Sequence, residues 1–237
     1  RITSGHHSFS GSELAAEAGC NLLLTIRDAS ARGWGGWEKL SGIPGSVGGA
    51  TRGNAGAFGV EMKDVVDKVH AIDVETGETR EFVNAECAFS YRRSFFKDHP
   101  SWIITRVYLR LLKVDSLDSR DLADETIRER ERRHLQDVCA AGSFFMNPIA
   151  PREVVALFEF DKKTKAREGR VPAGWLIENV GLKGYAVGGA SASEQHPNYI
   201  RSDGTATSAD VLAVAQKIKE AIQTRYGIEL IEEAVIL

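Results

Sequence analysis

Cysteine is scarce in this chain of 237 residues: Cys20, Cys87 and Cys139 stand far apart and form no C-x-x-C pair. That spacing excludes a disulfide framework or a zinc site, and a reducing, cytoplasmic compartment is the simpler reading. Net charge is scarce as well. A formal value of −3 gives no reason to expect a nucleic-acid or membrane partner. No apolar run approaches the roughly eighteen residues of a membrane span. The sequence opens Arg-Ile-Thr-Ser-Gly, with no methionine and no basic-then-apolar leader, so a fragment or processed chain whose start lies upstream is expected. What remains is 43% hydrophobic, enough to build one large domain or two small ones.

Glycine, by contrast, is concentrated. Residues 41–59 hold glycines at 42, 45, 48, 49, 53, 56 and 59 together with Pro44, Ser46 and Asn54. Each glycine inside a helix costs about 1 kcal/mol relative to alanine, so the run reads as loop. Its backbone N–H groups are free to turn toward an anion or a planar ring. The nucleotide fingerprints do not fit: no Gly-Lys-Ser/Thr follows, and Gly45-Ser-Val-Gly48-Gly49 is not G-x-G-x-x-G. A turn cluster and a cofactor cradle both remain open.

Along the chain, a short strand is expected first, then a helix over 12–19 with Ser12 as N-cap and Gly19 as terminator. His6 and His7 read as solvated, and Trp34 and Trp37 as core anchors. Residues 65–74 and 79–83 form a hairpin around Glu75-Thr-Gly-Glu78. Residues 102–112 alternate as a strand, with Ile103, Thr105, Val107, Leu109 and Leu111 on one face and Ile104, Arg106, Tyr108 and Arg110 on the other. A polar helix over 116–136, with pairs such as Glu129 and Arg133, marks a domain boundary. Helices follow at Pro151 and Pro172. The clearest helix begins at the Thr207–Asp210 capping box and ends at Gly227, before a final strand over 229–237.

Five stretches, in order, resemble the UDP-N-acetylenolpyruvoylglucosamine reductases (the MurB family). They are residues 36–59; Phe89-Ser-Tyr-Arg-Arg-Ser-Phe-Phe-Lys97; Ala141-Gly-Ser-Phe-Phe-Met-Asn-Pro148; residues 173–199; and Gly227-Ile-Glu-Leu-Ile-Glu-Glu-Ala-Val235. The resemblance implies an α+β flavoprotein. Residues 1–113 would be the second half of a two-subdomain, vanillyl-alcohol-oxidase-like FAD-binding domain. Residues 114–137 would be a charged connecting helix and 138–230 an α+β substrate-binding domain. Residues 231–237 would be a C-terminal strand. Nothing here matches the family's N-terminal FAD-binding subdomain, which is expected upstream, on another chain, or lost.

The resemblance also implies roles. Ser41, Gly42, Ile43, Pro44, Gly45, Ser46, Gly48, Gly49, Asn54, Ala55 and Gly56 would hold FAD. NADPH would reduce it, and hydride would then pass to the enolpyruvyl double bond of UDP-N-acetylglucosamine enolpyruvate. Ser143 would protonate the neighbouring carbon, while Arg92 and Glu233 stabilise the developing enolate. Tyr91, Asn147, Lys183 and His196 would contact the nucleotide-sugar substrate. Met146, Glu232 and Val235 depart from the family's lysine, proline and arginine. A flavin-dependent oxidase of related fold and a non-catalytic remnant are the alternatives.

Overall fold

The computed structural model describes residues 4–132 and 139–234. Two compact units divide the chain, residues 1–130 and 131–237.

In the first unit, strands β1 (His7–Ser10) and β2 (Glu13–Glu17) form a hairpin, followed by helix α1 (Leu22–Ala31) and the short strand β3 (Trp34–Gly35). The glycine-rich stretch contains helix α2 (Val47–Arg52) and strands β4 (Gly56–Ala57) and β5 (Val60–Glu61). Strands β6 (Val66–Asp73) and β7 (Thr79–Val83) form the expected hairpin. Helix α3 (Phe95–Asp98), strands β8 (Trp102–Arg110) and β9 (Leu112–Lys113) and helix α4 (Ser116–Arg132) complete the series. The main sheet is antiparallel, in the order β1-β2-β8-β6-β7.

Three expectations change here. Residues 12–19 are not a helix. Leu14 and Ala16 are fully buried on one face of β2 and alternate with polar or half-buried neighbours, so pairing with β8 overrides the helix-forming composition. The helix lies later, where Asn21 Oδ1 accepts the Leu24 N–H at 3.0 Å and Leu22, Ile26 and Ala29 are buried. Strand β8 does not keep one phase either. A register shift opposite His70 and Ala71 leaves Ile104 buried and Ile103 and Thr105 exposed, while Val107 and Leu109 stay in the core.

The third change concerns residues 47–52, which are helical despite Gly48 and Gly49. Ser46 caps α2 by accepting the Gly49 N–H at 3.2 Å, and Val47, Ala50 and Thr51 are buried. A cap contributes about 1 kcal/mol, which with that burial offsets the glycines. Gly48 is required by its neighbour: a Cβ there would stand 2.5 Å from Ala18 Cβ. A buried carboxylate anchors the lead-in to this loop. Glu38 accepts from the Gly36 N–H at 2.8 Å and from Ser119 Oγ of α4 at 2.5 Å.

In the second unit, helices α5 (Arg152–Lys162) and α6 (Ala173–Asn179) precede an antiparallel sheet of β10 (Ala186–Val187), β11 (Ala190–Ala192) and β12 (Ile200–Ser202). Helix α7 (Ser208–Tyr226) packs on that sheet through Val214, Ala215, Ile218 and Ile222. It has the expected Thr207–Asp210 capping box and a left-handed Gly227 at its end. The final stretch is not a continuous strand. Among the described residues it pairs only through an isolated antiparallel bridge between Phe145 and Glu232, because residues 141–148 are too irregular to extend the ladder. Arg133, Gln136 and residues 235–237 lie outside the described residues.

Candidate functional site

The glycine-rich stretch borders a cleft of about 860 Å³. Gly45, Ser46, Gly48, Gly49 and Arg52 line it together with Trp102, Ile103 and Ile104 of β8. Gly45 has φ +122°, and the space where its side chain would stand is open, so the backbone itself lines the cleft there. The amides of this stretch are largely spent inside the protein. Val47 N–H goes to Cys20 C=O and Gly48 N–H to Ala18 C=O, each at 2.9 Å, while Gly49 N–H serves the Ser46 cap. A cradle of successive free amides, the expectation from composition, is therefore not what α2 presents.

Other polar groups remain. Trp37 Nε1 and Ser41 Oγ are buried and have no hydrogen-bond partner among the described residues. An unsatisfied buried group costs about 1–3 kcal/mol, but both residues are fully buried and neither is among those that line the cleft. Asn54 is different. Its side chain gives Nδ2–H to Glu61 Oε2 at 3.1 Å and to Ser90 C=O at 2.9 Å, and its Oδ1 accepts the Lys63 N–H at 3.0 Å. Asn54 thus ties the loop to the turn at Ser90, and the backbone here is engaged as well: Asn54 N–H donates to Thr51 C=O at 3.1 Å and Ala55 N–H to Ala50 C=O at 2.8 Å.

That turn carries Arg92. Ser90 and Arg93 exchange both backbone hydrogen bonds, which places Arg92 at φ +58°, a conformation side chains rarely adopt. Lys97 Nζ donates to the Arg92 carbonyl at 3.0 Å and holds it there. The Arg92 guanidinium donates to Gly56 C=O at 3.0 Å and lies 5.0 Å above the Tyr91 ring. Arginine and glycine stretch are thereby linked within the first unit.

The second unit assembles Ser143 and Glu233. Phe144 C=O accepts the Glu233 N–H at 2.8 Å, and Met146 N–H donates to Ile231 C=O at 2.9 Å. These two bonds flank the Phe145–Glu232 bridge and place Glu233 beside the residue that follows Ser143, itself half-buried. Glu232 is held by Lys219 of α7 at 2.9 Å, and that hydrogen bond draws its carboxyl below the usual glutamate range. Asn147 accepts the Ala173 N–H at 3.0 Å, filling the first turn of α6, where Pro172 supplies no side-chain cap. The His196 ring packs 4.5 Å from Tyr199. Lys183 stands at the surface, 3.6 Å from Glu178.

One residue in this unit is missed by the sequence reading. Asn198 is buried, and its side-chain amide pairs with both backbone groups of Phe145. Its only signal is its place two residues after His196 in a stretch that already resembles the family.

An antiparallel sheet bordering a cleft with a glycine-rich wall, followed by a mixed helix-and-sheet unit, is the arrangement of a two-part flavoprotein. An FAD binding domain family model matches residues 3–82, and the model for the UDP-N-acetylenolpyruvoylglucosamine reductase C-terminal domain matches residues 133–237. The chain belongs to the UDP-N-acetylenolpyruvoylglucosamine reductase family. It is 35% identical to the reductase of Caldanaerobacter subterraneus, covering 96% of this chain and 68% of that protein. To the Pseudomonas aeruginosa reductase it is 36% identical over 91% of this chain and 72% of the relative. The crystal structure of the Thermus caldophilus reductase superposes with a TM-score of 0.71 at 31% identity, covering 91% of this chain and 70% of that one.

Proposed function

We propose that this chain acts as an NADPH-dependent flavin reductase that converts UDP-N-acetylglucosamine enolpyruvate to UDP-N-acetylmuramate in peptidoglycan synthesis. The observation that carries the reading is the placement of Glu233 against Phe144 C=O, one residue from Ser143. This backbone bond brings the segment that carries Glu233 next to the segment that carries Ser143, which supports reading the two as a carboxylate and a hydroxyl proton donor of one site. FAD, when bound, supplies the hydride chemistry that no side chain provides. The 860 Å³ cleft and the open face at Gly45 fit such a group.

The protein's own residues do the rest. Ser143 holds the proton that the substrate carbon takes up. Arg92 offers its guanidinium fork, a shape matched to two carboxylate oxygens, to the enolpyruvyl carboxylate. Arg92 in the first unit and Glu233 in the second are each assigned to stabilise charge developing beside that carboxylate. Tyr91, Asn147, His196 and Lys183 are assigned to the nucleotide sugar, Asn147 also shaping the α6 end of the site. The substrate domain spans about 138–230 in this reading, with α4 in the connection. Among the described residues, no helix is long and apolar enough to cross a membrane.

The test is spectroscopic. The purified chain is incubated with FAD and desalted, and the retained flavin absorbance is followed on adding NADPH and then the enolpyruvyl nucleotide sugar. Bleaching followed by recovery is the expected result. A chain that retains no flavin would favour a non-catalytic remnant, and recovery with oxygen but not with the sugar would favour an oxidase.

A further inference from the structure

The bridge between Phe145 and Glu232 is of the kind in which the flanking residues, not the bridged pair, exchange hydrogen bonds: Met146 with Ile231, and Glu233 with Phe144. The N–H and C=O of Phe145 itself therefore face away from residues 231–233. Both are met by one side chain. Asn198 Oδ1 accepts the Phe145 N–H at 3.0 Å, and Asn198 Nδ2–H donates to Phe145 C=O at 2.8 Å. The Asn198 carbonyl also accepts the Phe144 N–H at 2.7 Å. A single asparagine thus takes the place of a neighbouring strand.

Asn198 is itself held firmly. Ser193 Oγ accepts the backbone N–H groups of Gln195 and His196, Tyr199 N–H donates to His196 C=O, and Ser193 N–H donates to Tyr199 C=O. Ser193 and Asn198 are 1% and 3% exposed, so the turn that presents the amide is packed. Ser143 sits one residue before the doubly bonded Phe144–Phe145 pair, which is fixed by Asn198 on one side and by residues 231–233 on the other.

We propose that Asn198 is a positioning residue for the proton donor: it fixes the backbone that aims Ser143, without touching substrate itself. The inference rests on the reductase reading above. Misplacing a reacting group by about 1 Å costs on the order of 100-fold in rate. Asn198→Ala removes both side-chain bonds to Phe145. Asn198→Asp keeps the size and the acceptor for the Phe145 N–H but sets a carboxylate oxygen against the Phe145 carbonyl.

The two half-reactions are measured separately by stopped flow, using the whole chain loaded with FAD. In Asn198→Ala, reoxidation by the enolpyruvyl nucleotide sugar should slow about 100-fold, while flavin reduction by NADPH and substrate Kd stay within about twofold of wild type. Asn198→Asp, which opposes two oxygens at a buried position, should slow reoxidation by a similar factor, and it carries the test if the alanine variant fails to fold. Hydrogen exchange gives a readout apart from activity: the Phe145 amide should exchange faster in both variants, while amides of α7 keep their protection. Reoxidation unchanged in a folded variant, or both half-reactions slowed alike, would overturn the proposal. A wild-type chain that binds FAD but is never reoxidised by the sugar would overturn the reductase reading instead.

Discussion

The two units build their candidate sites by opposite means. In the first, the chain makes room by leaving side chains out. Gly48 lets α2 lie against Ala18, and the amides of α2 close bonds to Ala18 and Cys20, so the part of the cleft lined by Gly45, Gly48 and Gly49 is bare main chain. In the second, side chains stand in for main chain that is not there. Asn198 replaces a strand neighbour of Phe145, and Asn147 supplies an acceptor at the start of α6. A site made by omission shows in composition. A site made by substitution shows only once the backbone around it is known.

The sharpest way to break the comparison is at Ser143. If the second unit exists to aim that hydroxyl, Ser143→Ala should slow reoxidation by the enolpyruvyl nucleotide sugar by about 100- to 10,000-fold, the usual weight of a general acid. Flavin reduction by NADPH should be unaltered, since the first unit is untouched. Stopped-flow absorbance reads both. Equal losses in the two half-reactions would mean that Ser143 serves the fold and not the chemistry.

Next in size is the glycine pair in α2. A Cβ at Gly48 would stand 2.5 Å from Ala18 Cβ and 2.9 Å from the Ala18 carbonyl oxygen. Ala18 cannot easily retreat, because its N–H is bonded to Thr105 C=O of β8. Gly48→Ala should therefore destabilise by about 1–3 kcal/mol. At Gly49 a Cβ meets only Ser46 Oγ at 3.4 Å, and Gly49→Ala should be neutral or stabilise by up to about 1 kcal/mol. Urea melts check both. Labelling of Cys87 offers a second readout, since burial pushes that thiol up to about 12 and it should react only as the first unit opens. Equal effects at the two glycines would remove the packing argument for Gly48.

The same contrast explains what was legible in the sequence. The α7 capping box, the β6–β7 hairpin and strand β8 are read from local chemistry, because cap, turn and alternation are each fixed by residues close in sequence. Residues 12–19 and the phase of β8 are misread because a distant strand decides them. Ser12 and Gly19 read as helix cap and terminator, whereas Leu14 and Ala16, two apart, suit a strand face, and pairing with β8 decides between the two. At the site, the glycines announce a loop, but no count of glycines reveals that α2 turns its amides inward. Asn54 and Asn147 look like ligand contacts, yet their side chains are engaged within the fold, through Glu61, Lys63 and Ser90 for one and Ala173 for the other. Asn198 could be singled out only after Phe145 was seen to face away from Glu232.

Asn147 gives a smaller test. Asn147→Ala should cost about 1 kcal/mol through the lost acceptor at Ala173. Asn147→Asp should recover most of that stability, because a carboxylate also suits a helix start. Activity lost in both would show a contact with substrate beyond the cap. Activity that follows stability would show a residue that only shapes α6. Chemical melts and steady-state assays on the same preparations separate the two.

The smallest effect lies in the Lys219–Glu232 pair, which ties the segment before Glu233 to α7. The hydrogen bond from Lys219 lowers the Glu232 carboxyl below its ordinary value. A lowered folded value means that the pair's stabilisation is fully present above the unfolded glutamate value of about 4.3 and is lost as pH falls through the folded one. Both side chains are 29% exposed, so solvent screens the pair and its contribution should be no more than about 1 kcal/mol. Lys219→Met should therefore lower stability at pH 7 by that small amount and lose less on acidification than wild type, the two curves converging below the folded value. Urea melts at stepped pH read the convergence. If the ion pair also anchors Glu233, the variant should slow substrate-driven reoxidation at pH 7 severalfold. An unchanged rate would leave Asn198 and the bonds to Phe144 and Met146 as sufficient to hold the second site, and would make the contrast with the first unit one of main-chain mimicry alone.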